Sequence, residues 1–78
     1  MLQKDLSLQA QWEAATGFDI HDRSMIWNNY SYFAYKDDQR GMDLEERIMR
    51  AILVKIKLSG PVNLRKELMQ LRRELKAQ

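Results

Sequence analysis

Apolar side chains recur along this chain at helical intervals, and three glycines punctuate them. Gly17, Gly41 and Gly60 divide it into four segments, each glycine standing where a helix would close in a left-handed turn. In the first segment, about residues 5–16, Leu8, Trp12 and Ala15 fall at i, i+4 and i+7, which predicts an amphipathic helix. Phe18, just past Gly17, is placed to fold back onto the last turn as the apolar contact of a C-cap.

The second segment holds IWNNYSYFAYKDD, Ile26 to Asp38, with five of the chain's seven aromatic residues between Trp27 and Tyr35. On a helix, Ile26, Trp27, Tyr30, Phe33 and Ala34 gather within about 120° of arc, while Asn28, Tyr32 and Tyr35 lie opposite. As a strand the stretch has no clean apolar face, although aromatics favour strands and Asn28–Asn29 could turn a hairpin. The helix is the reading adopted.

Asp43 and Glu46 show the spacing of a capping box and predict that the third helix opens there, with Glu46 and Arg50 as a favourable i, i+4 pair. RIMRAILVKIKL is apolar around most of its circumference, so this helix is expected at the centre of the fold. Lys55 falls inside that apolar arc, where it either snorkels outward or marks the edge of an interface.

Gly60 and Pro61 stop the third helix, and Asn63 can cap the next. Leu64, Leu68, Leu71 and Leu75 then follow the 4-3-4 rhythm of a narrow helical seam. The seam can fold onto the third helix as an αα-hairpin, or pair with a second copy as a homodimer in which Glu67 faces the partner's Arg72. The hairpin is preferred, because so few heptads do not hold a dimer alone. The expected architecture is all-α: a single domain of residues 1–78, a small bundle of about four helices ending in that hairpin.

At 78 residues a lone core is marginal, and without cysteine no disulfide reinforces it. Self-association or a partner is therefore a natural supplement. No apolar run is long enough to span a bilayer and the first ten residues lack the pattern of a signal peptide, so no membrane partner and a cytoplasmic location are expected. The formal charge of +2 hides an asymmetry: residues 1–42 carry four Lys/Arg against six Asp/Glu, and residues 43–78 carry nine against five.

Catalytic chemistry finds little footing. The lone histidine, His21, sits between Asp19 and Asp22, a trio better suited to capping a helix than to holding a metal. There is no glycine-rich phosphate loop and no nucleophile paired with a base, so no catalytic residue, cofactor or metal is assigned. The aromatic stretch does not suit base stacking either, since no basic residue lies between Trp27 and Tyr35 to track phosphates.

Two surfaces remain. Asn28, Tyr32 and Tyr35 are the residues that the aromatic core of the second segment does not need; either another helix covers them or they meet a larger protein partner. The second surface is the basic flank Arg65, Lys66, Arg72, Arg73 and Lys76, which suits a small dimeric DNA-binding regulator or an ordinary solvated face. By elimination the first functional expectation is a non-enzymatic protein-binding module, an adaptor or an inhibitor of the kind phages and plasmids direct at host enzymes. DNA binding is the alternative, and a purely structural self-assembling subunit is a third.

Overall fold

The computed structural model describes residues 1–17 and 25–76. They form four helices, α1 (Leu6–Thr16), α2 (Met25–Tyr35), α3 (Gln39–Ser59) and α4 (Leu64–Lys76), with no strand among the described residues. The fold is all-α, and the hairpin alternative for Trp27–Tyr35 falls away. Coiling that stretch as a helix buries Ile26, Trp27, Tyr30 and Ala34 together, with Phe33 packed at the edge of the core. Phe18, Asp19, His21 and Asp22 lie outside the described residues.

The central place belongs to α3, which packs against each of the other three helices. Met42, Glu45, Ile48, Met49 and Ile52 form its buried stripe. The opposite side is less covered than its apolar sequence suggests: Ala51, Val54 and Leu58 face solvent.

Asp5 caps α1, its carboxylate accepting from the Ser7 and Leu8 backbone N–H groups. Hydrogen bonds from the Ser7 hydroxyl, the Leu8 amide and Arg50 hold its pKa below the usual carboxylate value. Leu8 and Trp12 are completely buried, but Ala15 is exposed, contrary to its place on the expected face. The buried stripe is rotated toward half-buried Gln9 and Thr16, which leaves Ala15 past its edge. Gly17 closes α1 in the left-handed conformation as its position predicts, its N–H donating to the Glu13 carbonyl.

The buried Tyr30 hydroxyl ties three helices together. It accepts from the Asp5 N–H at 3.0 Å and donates to Glu46 at 3.3 Å. Arg50 completes the circuit, reaching Asp5 at 2.8 Å and Glu46 at 2.9 Å. Burial first, and then the neighbouring carboxylates, raise the Tyr30 pKa, so the phenol stays protonated and able to donate.

The junction between α2 and α3 corrects two expectations. α3 begins at Gln39, before the supposed capping box, and its N-cap is Asp38, whose carboxylate accepts from the Gly41 N–H at 3.0 Å. Asp43 lies a turn inside the helix and accepts from the Gln39 amide at 2.7 Å, while Glu46 turns to Tyr30 and Arg50. Nor does Gly41 end a helix. The left-handed residue is Asp37, at φ 57°. Its N–H bonds the Ala34 carbonyl and the Asp38 N–H bonds the Phe33 carbonyl, the two bonds of a Schellman motif. Asp38 thus ends one helix and starts the next.

Gly41 is small for a different reason. A Cβ there would lie 2.5–2.8 Å from three carbons of the Phe33 ring, so the close approach of α2 to α3 requires a bare Cα.

Gly60 (φ 86°, ψ −167°) ends α3 in a region open essentially to glycine alone, and its N–H donates to the Ile56 carbonyl. The Asn63 side chain accepts from the Lys66 N–H and caps α4 as its position predicts. The chain then returns as an αα-hairpin, with Leu64, Leu68, Leu71 and Leu75 half-buried against the core. Lys55 marks the interface edge, reaching Glu67 at 2.7 Å. α4 contributes no fully buried residue.

Gly41→Ala should destabilise the fold by about 1–3 kcal/mol through overpacking, although alanine is the better helix former. Urea denaturation checks this, and a Gly41→Ala/Phe33→Leu double variant should recover part of the loss. A Gly41→Ala protein as stable as the parent would mean that the helices do not need this approach.

Candidate interaction surface

The helix that buries Ile26, Tyr30 and Ala34 must present its other side outward. Asn28, Tyr32 and Tyr35, at i, i+4 and i+7, share that side, and all three are exposed. Tyr32 is 56% accessible and Tyr35 68%, so no helix among the described residues covers them. Tyr32 leans edge-on against Phe33, ring centroids 5.6 Å apart. The Lys36 ammonium stands 5.9 Å from the Tyr32 ring centre and 5.7 Å from that of Tyr35, a cation shared by both rings. On the packed side of the same helix, Trp27 is nearly buried, with the Lys4 ammonium 5.5 Å from its ring and bonded to the Ser31 hydroxyl. The surface is a ridge of two tyrosines and an amide, supported by packed aromatics and bordered by lysine.

The basic flank of α4 divides in two. Arg65, Lys66, Arg73 and Lys76 are exposed, but Arg72 turns inward. Its guanidinium meets the Glu45 carboxylate of α3 at 2.6 Å, and only 1% of that side chain is accessible. Arg72 is therefore part of the helix–helix joint, and a seam dimer using it against a partner's Glu67 would have to break this pair. Glu67 is itself taken by Lys55. Sequence periodicity could not show this, because Glu45 and Arg72 stand 27 residues apart.

A depression of about 610 Å³ lies on the outer side of α4, lined only by residues between Asn63 and Glu74. One helix offers no opposing wall on which catalytic groups could converge. Among the described residues no three of His, Cys, Asp and Glu gather closely enough for a metal, and no helix is long and apolar enough to cross a membrane. No known family, curated protein or solved structure matches the chain. The function must be argued from its surfaces.

Removing one partner of the Glu45–Arg72 pair leaves the other inadequately compensated. Arg72→Ala should cost about 3 kcal/mol, whereas Glu45→Leu/Arg72→Leu should restore most of that loss. Urea unfolding of both variants measures it. A native-like Arg72→Ala curve would show that the pair adds no net stability.

Proposed function

We propose that this chain is a non-enzymatic protein-interaction module, an adaptor or inhibitor that grips a larger protein with the outer face of α2. The observation that carries the reading is the placement of Tyr32 and Tyr35. Both rings are more than half accessible on a helix whose opposite face is core. Tyrosine is enriched at interfaces because one ring buries a large area and keeps a polar tip to fix orientation. Lys36 between the rings and Asn28 one turn earlier supply polar contacts around an aromatic centre, the usual arrangement of a small protein-binding patch. Small helical inhibitors carried by phages and plasmids are the class this reading suits.

Tyr32→Ala/Tyr35→Ala should leave the urea midpoint nearly unchanged, because neither ring is part of the buried core. Loss of one hot-spot tyrosine alone weakens binding by about 30-fold. The test compares proteins retained from nuclease-treated lysate of the source organism by the parent and the double variant, each tagged at the C-terminus. A protein held stoichiometrically by the parent and lost by the variant is the expected result. Identical retention by both, or a variant that unfolds much earlier, overturns the reading.

A further inference from the structure

We infer that α4 carries a second, separate binding surface, in which Arg65, Lys66, Arg73 and Lys76 hold the phosphate backbone of double-stranded nucleic acid without reading its sequence. Among the described cations, Lys4 and Lys36 stand over aromatic rings, and Arg40, Arg47 and Lys57 of α3 form no ion pair; α4 differs in carrying four unpaired cations on one short helix. Arg50, Lys55 and Arg72 are committed to Asp5, Glu46, Glu67 and Glu45. The four outer cations of α4 form no ion pair among the described residues. Of the acidic residues of α4, Glu67 is bound to Lys55, while Glu74, which accepts from the Gln70 amide, stands at the edge of the same outer depression and forms no ion pair with the four cations. Arg65 and Lys66 also stand on the first turn, at the positive end of the helix dipole, where an anion relieves like-charge repulsion.

The surroundings select the kind of polyanion. A membrane-surface helix needs bulky apolar residues beside its cations, but the leucine seam of α4 is turned onto α3, leaving Met69 as the large apolar residue exposed on this helix. Single-strand binders stack bases on aromatic rings, and α4 contains none. What remains are four long cations spread over about 100° of the helix surface, in two pairs about two turns apart. From Arg65 to Lys76 the helix rises about 16 Å. A duplex presents about nine phosphates over the same distance. The amides on this face, Asn63 and Gln70, are occupied with the Lys66 N–H and Glu74, so the contacts fall to long flexible cations on the backbone, which gives affinity with little sequence preference.

The experiment is fluorescence anisotropy of the full chain with labelled 20-base-pair duplexes of two unrelated sequences, from 20 to 200 mM salt. Four phosphate contacts give a slope of about −3.6 in log K against log salt, so affinity falls about 150-fold between 50 and 200 mM. Both sequences should bind alike. Arg65→Gln/Lys66→Gln/Arg73→Gln/Lys76→Gln should remain folded by circular dichroism and lose binding, and Lys66→Gln alone should reduce the slope by about 0.9. The Tyr32→Ala/Tyr35→Ala variant should bind duplex as the parent does, which separates this surface from the one on α2. No anisotropy change at 20 mM salt overturns the inference. So does duplex binding retained by the folded quadruple variant, or binding to anionic phosphatidylserine vesicles with none to duplex.

Discussion

A buried tyrosine hydroxyl organises this small protein. Tyr30 fills the centre of the core with its ring, and a phenol held there cannot be left without partners. It meets that requirement by accepting from the backbone where α1 begins and donating to α3, so three helices must meet at one point. Arg50 then bridges the two carboxylates drawn to the same place. The contact is directional where the surrounding packing of Leu8, Trp12, Ile48, Met49 and Ile52 is not, and it fixes the register in which those side chains interlock.

α4 follows another rule. It has no fully buried side chain and docks through a half-covered leucine seam with an ion pair on either side, Lys55–Glu67 and Arg72–Glu45. Those pairs orient the helix, and in doing so they send the remaining cations outward. The surface charge of the C-terminal half is thus partly a by-product of how the hairpin is assembled. The same division holds on α2, where the rings needed for packing leave Tyr32 and Tyr35 outside.

Much of this was legible in the sequence wherever the signal was local and periodic. The 4-3-4 leucines, the Asn63 cap, the split of α2 into a packed and an outer face, and the central position of α3 all follow from spacing within a few turns. The failures have a common physical origin. Asp43 and Glu46 have the spacing of a capping box, but such a pattern is satisfied only where the backbone actually starts a helix, and here Asp38 takes that place and caps the Gly41 N–H. Asp37 took the left-handed position expected of a glycine, where the two Schellman bonds close α2 around it. The inward turn of Arg72 depends on a carboxylate from another helix. Periodicity carries no information about that encounter. The outward face of α2 was readable as a surplus of aromatics, but whether another helix would cover it required the packed fold.

Asp38 has a consequence for how the tyrosine ridge is displayed. One residue closes the Schellman motif of α2 with its backbone and caps α3 with its side chain, leaving no free linker between the helices. The angle between them is therefore set by the three bonded residues Lys36, Asp37 and Asp38, and the bare Cα of Gly41 lets the Phe33 ring settle at close range. A ridge mounted this way has little backbone freedom left to lose on contact. Its side chains meet another surface already in place, so selectivity rests on shape more than on adaptation.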